Sequence, residues 1–379
     1  MSTELERIII KYPNKPWEWD SLSENPNITM EFIENNLDKP WEWGWISKNP
    51  NLTMDFIRKY FDKSWTWFVI SSNINLDFEF IEENNNKPWN WNNISENPNI
   101  TMEIIEENIH KPWNWIFISS NPNLNIEFIN KYPNKVWDWR RISANPNITM
   151  DIIEKYLDKP WNWESISYNP NVNIKFIEKH LNKPWDWEYI SGNVNITIKF
   201  IEAYPDKPWN WKKISENPFI TIKIIEKYPN KPWNWFYICR NPNINFQFIS
   251  KYFKNKKIDW LFISHHKNFT MDIIKNNLHL KWDLPSVCLN PNITLEYIDF
   301  IENYNSYNSY NSYKYDWDDL SYNTFHYEDI NGYYKKRKYK TINNNRIIKE
   351  ELIMKTWHPD RLINWCFDLD ERKEWFNNN

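Results

Sequence analysis

The chain has 379 residues, with 46 basic and 50 acidic side chains and a formal net charge of -4. This near balance excludes an overall field that would draw the protein to nucleic acid or to an anionic membrane surface. Hydrophobic residues make up 41% of the chain and aromatic residues 18%, with 27 tryptophans, so the composition also excludes a largely disordered chain.

The amino terminus and the cysteines indicate the compartment. The first segment, MSTELERIIIKYP, has an apolar stretch of three residues, which is too short for a signal peptide, and no run approaches the ~20 apolar residues that span a bilayer. Cys239, Cys288 and Cys366 are scattered, which favours a reducing compartment without disulfides. We expect a soluble, intracellular monomer without membrane contact.

Internal repetition dominates the sequence. The first tryptophan of a 24-residue unit falls at positions 17, 41, 65, 89, 113, 137, 161, 185, 209 and 233, and a second tryptophan lies two residues later. This pattern divides the chain into a capping half-repeat (1–16), ten regular repeats (17–256), degenerate repeats with an Asn-Ser-Tyr insertion (257–323), a basic, Asn-rich linker (324–345) and a helical carboxyl-terminal segment (346–379).

The first half of each unit has the signals of a short helix. The position of Thr29 is Thr, Asn or Asp in all ten regular units, and these residues cap helix starts. Ile28 and Ile33 flank the start as a hydrophobic staple. Met30, Ile33 and Leu37 fall on one helical face, so the sequence predicts an amphipathic helix that begins at Met30.

The second half predicts another helix. Lys39-Pro40-Trp41 suits a first helical turn, and Asn49-Pro50 ends the helix. The fold is therefore expected to be all-α, an elongated and curved α-solenoid of 24-residue two-helix repeats. A β-solenoid is the alternative, because Trp-x-Trp followed by an aliphatic residue also fits a strand. The sequon-like Asn-x-Thr segments are interpreted as turn and cap residues.

The unit resembles a known family. Lys-Pro-Trp-x-Trp-x-x-Ile-Ser-x-Asn-Pro-Asn-Ile-Thr, as in Lys111 to Ser119 and Lys159 to Ser167, is similar to the tandem Trp-rich repeats of uncharacterised proteins of mimivirus-like giant DNA viruses. The resemblance covers residues 12 to about 323. It implies action in an infected host cell, in the cytoplasm or alternatively the nucleus, and it implies no activity and no site residues.

The residues that carry chemistry do not form a known catalytic pattern. Three glycines exclude phosphate-binding loops and dinucleotide fingerprints. His358 and Cys366 could meet near the carboxyl end, but the spacing of Leu362, Trp365, Cys366 and Leu369 places Cys366 on an apolar packing face. His265, His266, His279 and Cys288 match no standard zinc spacing. We therefore expect no enzyme activity, no cofactor and no metal site.

Lysines form a column through the repeats, at positions 15, 39, 63, 87, 111, 135, 159, 183, 207 and 231. Such a column, together with the basic run Lys335-Lys336-Arg337-Lys338, suggests nucleic-acid association as an alternative function. The favoured interpretation is that each lysine stem covers a neighbouring indole.

The two residues after the second tryptophan vary more between repeats than a packed core allows, so this column is predicted to lie on the surface. Exposed aromatics and arginines in a row are typical of interface residues. The sequence thus predicts a non-enzymatic scaffold for protein–protein interaction, whose partner contacts are Trp45, Phe68, Phe117, Arg140, Arg141, Tyr189, Phe236 and Tyr237.

Overall fold

The computed structural model describes residues 2–252, 256–307 and 317–323. Within these residues the chain forms 26 short α-helices and no β-strand, which confirms the all-α repeat solenoid over the β-solenoid. The helices alternate between two kinds, helix A (odd-numbered) and helix B (even-numbered), and one of each makes a repeat. None of them is long and apolar enough to cross a bilayer.

In chain order the helices are α1 (Glu4–Lys11), α2 (Trp19–Glu24), α3 (Met30–Asn35), α4 (Trp43–Ile46), α5 (Met54–Lys59), α6 (Trp67–Ile70), α7 (Phe78–Glu83), α8 (Trp91–Ser95), α9 (Met102–Glu107), α10 (Trp115–Ile118), α11 (Ile126–Lys131), α12 (Trp139–Ser143), α13 (Met150–Lys155), α14 (Trp163–Ile166), α15 (Ile174–Lys179), α16 (Trp187–Ser191), α17 (Ile198–Ala203), α18 (Trp211–Glu216), α19 (Ile222–Lys227), α20 (Trp235–Ile238), α21 (Phe246–Ser250), α22 (Trp260–Ser264), α23 (Met271–Asn276), α24 (Leu284–Val287), α25 (Leu295–Tyr307) and α26 (Trp317–Tyr322).

Helix A begins where the cap predicts. In α3 the Thr29 hydroxyl accepts a hydrogen bond from the Phe32 backbone N–H at 3.1 Å. Ile28 and Ile33 are fully buried, as a hydrophobic staple requires. The predicted place of Leu37 on the apolar face is wrong, because α3 ends two residues earlier and the Leu37 side chain is 49% exposed.

Helix B begins later than predicted. α4 starts at Trp43 rather than Lys39, and Glu42 is its N-cap residue. The Trp41 indole Nε1–H donates to the Asn36 carbonyl at 2.7 Å, which closes the turn between the end of helix A and the start of helix B. Proline suits this connection because it has no N–H to satisfy. In other repeats the residue just before helix B caps it with its side chain: Asn114, Asp138, Asn162, Asp186, Asn234, Asp259 and Asp283.

Tryptophans join consecutive repeats. The first tryptophan of a repeat packs edge-on against the second tryptophan of the preceding repeat, as Trp161 does against Trp139 at a centroid distance of 5.1 Å and an angle of 86°. Other such pairs have centroid distances between 5.0 and 5.5 Å. This edge-to-face geometry is favourable for aromatic rings and adds to the energy of burying them.

Buried asparagines form a second link between repeats. The Asn121 amide nitrogen lies 2.9 to 3.2 Å from three carbonyl oxygens of the preceding repeat, those of Ser95, Asn97 and Ile100. Its oxygen accepts the Asn123 backbone N–H at 2.8 Å. The first Asn of Asn-Pro-Asn is therefore an inter-repeat residue, and not only the residue that ends helix B, as the sequence predicted.

His266 takes the place of this asparagine in a degenerate repeat. Its Nε2 lies 3.2 Å from the Asn241 carbonyl oxygen, and its Nδ1 lies 3.2 Å from the Asn268 backbone nitrogen. A neutral imidazole with its proton on Nε2 satisfies both contacts, because Nδ1 then accepts and Nε2 donates.

Serines supply a third link. The Ser119 hydroxyl accepts the Asp138 backbone N–H of the next repeat at 2.9 Å and donates to the Trp115 carbonyl at 2.9 Å. Cys239 occupies the equivalent position in its own repeat, where its sulfur lies 3.2 Å from the Trp235 carbonyl oxygen. The start of each helix B is thus tied to the end of the preceding one.

The described residues divide into two compact units, one of residues 2–94 and 211–323 and the other of residues 95–210. Within the first unit, α1 packs on α25 and α2 packs on α26. The two ends of the array are therefore in contact, which the repeat pattern did not predict.

The contact between the ends has the geometry of two consecutive repeats. Trp17 packs edge-on against Trp317 at 5.0 Å and 77°. The Glu18 backbone N–H donates to the Ser321 hydroxyl at 3.2 Å, and the Asn25 amide donates to the Ser321 carbonyl at 2.7 Å. The amino-terminal repeat therefore follows the last described repeat as if it were the next one in the array.

Polar side chains surround this contact. The Tyr12 hydroxyl donates to Asp299 at 2.6 Å, and the Lys11 ammonium pairs with the same carboxylate at 2.5 Å. Lys15 pairs with Glu302 at 2.9 Å. Burial, together with the neighbouring Asp299 carboxylate, raises the pKa of Tyr12 far above its usual value.

Candidate interaction surface

The predicted contact residues form two rows on helix B, because successive helical residues point in different directions. The outer row holds the first residue after the second tryptophan, which is Phe68, Arg140 or Phe236 in the predicted set. The inner row holds the second residue after it: Trp45, Phe117, Arg141, Tyr189 and Tyr237.

The outer row lies towards solvent. The Phe68 side chain is 60% exposed and Arg140 is exposed as well. Phe236 is half-buried, with the Arg240 guanidinium 4.9 Å from its ring centroid. Phe68 and Arg140 are therefore accessible to a partner.

Most of the inner row is half-buried, and Arg141 shows why. Its guanidinium donates to the Ser120 hydroxyl of the preceding repeat at 2.9 Å and lies 4.6 Å from the Phe117 ring centroid. It also lies 3.3 Å from the Asp138 carboxylate. Arg141 and Phe117 therefore contribute to inter-repeat packing as well as to the surface.

The other inner-row residues also contact a cationic or aromatic side chain of the protein. The Lys48 ammonium lies 3.2 Å from the Trp45 ring centroid, although Trp45 remains 36% exposed. The Tyr189 ring lies against Tyr168 of the preceding repeat, with centroids 3.5 Å apart. Tyr237 lies 5.0 Å from the Arg240 guanidinium. Sequence reasoning did not separate this partly structural row from the outer row.

A shallow groove of about 380 Å³ opens in the unit of residues 95–210. It crosses three consecutive repeats and is lined by Ile116, Val136, Trp137, Asp138, Trp139, Arg140, Pro160, Trp161 and Asn162. Ile116 is 40% exposed and Val136 is 70% exposed, so the groove presents apolar side chains to solvent. Of the predicted contact residues, Arg140 lines it.

Val136 distinguishes this part of the array. Most repeats have proline at this position, as at Pro112 and Pro160 on either side. In the sequence this difference is visible as a break in the Lys-Pro-Trp motif, at Lys135-Val136-Trp137. The groove itself could not be predicted, because it forms only where three repeats stack together.

Six lysines of the column lie over indoles, as the favoured interpretation predicted. The Lys135 ammonium lies 4.5 Å from the centroid of Trp115, the second tryptophan of the preceding repeat, and the Lys183 ammonium lies 5.0 Å from Trp163. The same contact occurs for Lys15, Lys63, Lys87 and Lys207. These ammonium groups take part in the packing between repeats.

The four residues considered as zinc ligands do not form a metal site. His266 belongs to the asparagine series, His265 packs against Phe262 with ring centroids 4.6 Å apart, Cys288 is a buried free thiol, and His279 is exposed. In the described part of the chain, no group of three or more His, Cys, Asp or Glu side chains is placed to hold a metal ion. The basic run at 335–338 and the His358 and Cys366 pair lie outside the described residues.

Comparisons with known proteins give no relative. No family model matches the chain, and no curated protein or solved structure matches it either.

Proposed function

We propose that the protein is a non-enzymatic repeat scaffold that binds another protein through exposed side chains of helix B, of which Arg140 lines the groove in the unit of residues 95–210. The observation that supports this proposal is the combination of a repeated framework with exposed side chains that do not repeat. Phe68 is 60% exposed, and Val136 and Arg140 lie beside each other at the groove in solvent. Exposed aromatic and arginine side chains on a rigid framework are the types that dominate the energetics of protein interfaces.

The alternative, association with nucleic acid, has less support. At least six ammonium groups of the lysine column lie over indoles of the neighbouring repeat. They contribute to inter-repeat packing and are less available to bind phosphates. A gel-shift titration with DNA and RNA at low and moderate salt tests it, because electrostatic binding weakens steeply as salt rises. We propose, from the family resemblance alone, that this scaffold acts in an infected host cell.

The test compares two triple variants. A tagged protein captures its partner from host-cell lysate, mass spectrometry identifies the partner, and the purified pair is then titrated. Alanine at Phe68, Phe117 and Phe236 should weaken that binding. The melting temperature should fall only slightly, through the lost contact between Phe117 and Arg141. The matched control replaces three exposed aliphatic residues outside the two rows, Leu37, Ile109 and Leu157, which are 41 to 52% exposed. Equal affinity for both variants would contradict the proposed function.

A further inference from the structure

We infer that the groove around Val136 binds an extended, proline-rich segment of a partner protein that carries a carboxylate next to its prolines. This inference rests on the proposed function and names the chemistry of the partner. It starts from the hydrogen-bonding groups that the groove side chains still have available.

The side-chain acceptors of the groove are already used inside the protein. Asp138 accepts the Arg140 backbone N–H at 2.9 Å, and its other oxygen faces the Arg141 guanidinium at 3.3 Å. The Asn162 side-chain oxygen accepts the Ser165 backbone N–H at 2.7 Å. Both oxygens that receive backbone N–H groups are therefore held in place as caps of helix B.

Two of the indole donors are used as well. The Trp137 Nε1–H donates to the Tyr132 carbonyl at 2.9 Å, and the Trp161 Nε1–H donates to the Tyr156 carbonyl at 2.7 Å. Both rings are thus fixed by helix A of their own repeats and give the groove a rigid aromatic wall.

Three side-chain donors remain. The Trp139 Nε1–H, the Asn162 amide nitrogen and the Arg140 guanidinium have no protein acceptor among the residues that the structure describes. The side chains of the groove thus offer free donors to a ligand, whereas the side-chain acceptors beside them already receive hydrogen bonds from the protein.

A ligand for this groove should bring carbonyl acceptors and few N–H donors. Peptide N–H groups that face these side chains would exchange water for a surface with few free acceptors, so an ordinary peptide would lose affinity here. A proline-rich segment has carbonyl oxygens but no N–H at each proline, and its polyproline II conformation is formed before binding. Aromatic-lined grooves recognise such segments in other proteins.

Arg140 adds the requirement for a carboxylate. Its guanidinium is exposed at the groove and has no carboxylate partner in the described residues. A guanidinium can bind a carboxylate through two parallel hydrogen bonds, which gives both strength and orientation. Acidic residues between prolines would place such a carboxylate beside a proline that packs on Val136 or Trp139.

The experiment uses the full chain and a dye-labelled nonapeptide of three Pro-Pro-Glu triplets, with fluorescence anisotropy as the readout. Two further peptides replace every Pro by Gly or every Glu by Lys. We expect binding of the Pro-Pro-Glu peptide and at least tenfold weaker binding of both others. Equal binding of the glycine peptide, or no binding of the Pro-Pro-Glu peptide at millimolar concentration, would overturn the inference.

Variants then test the site. Arg140→Glu should weaken binding about tenfold or more, Trp139→Phe about threefold to tenfold, and Val136→Asp should abolish it. Lys212→Glu makes the same charge change at the equivalent position of another repeat and should leave binding unchanged. Wild-type affinity in both Arg140→Glu and Val136→Asp would also reject the groove. If the peptide fails but the triple phenylalanine variant still loses its purified partner, the inference fails and the proposed function stands.

Discussion

Trp17 and Trp317 stand at opposite ends of the repeat array, yet their rings lie 5.0 Å apart at 77°. Trp139 and Trp161, in consecutive repeats, lie 5.1 Å apart at 86°. In a linear array the terminal repeats have one neighbour each and are the first to unfold. The contact between Trp17 and Trp317 gives the amino-terminal repeat a second neighbour, so its stability depends on residues near the other end of the array.

Trp317→Ala should therefore loosen two distant segments together. Truncation of a large buried aromatic side chain costs about 3–5 kcal/mol, and Trp317 is buried against Trp17. In hydrogen exchange, α1 and α2 should lose protection along with α25, while residues 95–210 keep theirs.

Trp139→Ala is the matched control for this variant. It removes the equivalent ring in the other unit, where it contacts Trp161. It should reduce protection around α12 and α14 and leave α1 unchanged. If Trp317→Ala leaves exchange in α1 at the wild-type level, the contact between the ends does not stabilise the amino-terminal repeat.

Asn121→Ala should destabilise the protein by about 3 kcal/mol or more in urea denaturation. The variant removes the donor to three buried carbonyl oxygens and the acceptor of the Asn123 backbone N–H, and each unsatisfied buried group costs about 1–3 kcal/mol. Asn121→Asp should be worse, because a carboxylate beside the same carbonyls cannot donate. Asn130, exposed on α11, is the control, and Asn130→Ala should change the free energy of unfolding by less than about 0.5 kcal/mol.

Cys239 should resist alkylation in the native protein. Burial raises the pKa of its thiol to about 11, and the thiolate is the reactive form. Iodoacetamide at pH 8 should modify neither Cys239 nor Cys288 until denaturant is added, as read by peptide mass mapping. Cys239→Ser should leave the free energy of unfolding unchanged or slightly higher, because serine makes the same two contacts in other repeats. Rapid native labelling of Cys239 would contradict the buried position.

The parts of the fold that depend on local pattern could be predicted from the sequence. The cap at Thr29 and the apolar pair Ile28 and Ile33 determine where helix A begins, and these residues are close together in the sequence. The structure places them as expected. The predicted start of helix B was wrong. Proline is common in the first turn of helices, so Pro40 suggested a start at that position. The Trp41 indole, which bonds the Asn36 carbonyl, decides the conformation instead.

The parts that depend on stacking could not be predicted. Asparagine before proline is common in turns, so the sequence alone does not show that Asn121 reaches three carbonyls of another repeat. A signal was present, because this asparagine is unchanged in repeats whose neighbouring positions vary. The match of Trp317 and Ser321 to the Trp and Ser of a regular helix B was a similar signal for the contact with residues 17–25. The groove needs three stacked repeats, so only Arg140 among its residues was identified beforehand.

His266 should make the stability of the protein depend on pH. Burial is the main reason that its pKa falls from 6.5 to about 4 in the folded state. Between these two pH values the unfolded chain binds a proton that the folded chain does not, so stability is complete above pH 6.5 and decreases as the pH falls towards 4. A difference of 2.5 pKa units corresponds to a loss of about 3 kcal/mol at 1.36 kcal/mol per unit.

His266→Asn should remove that part of the pH dependence, because asparagine makes the same pair of contacts without a titrating group. Urea denaturation at pH 7.5, 6, 5 and 4.5 should show the wild type and the variant converging at high pH and separating by up to about 3 kcal/mol as the pH falls. The remaining slope includes His265, whose pKa burial also lowers. His110→Asn, at an exposed histidine, should follow the wild-type curve. A His266→Asn curve parallel to the wild type at every pH would show that protonation of His266 does not oppose its contacts with Asn241 and Asn268.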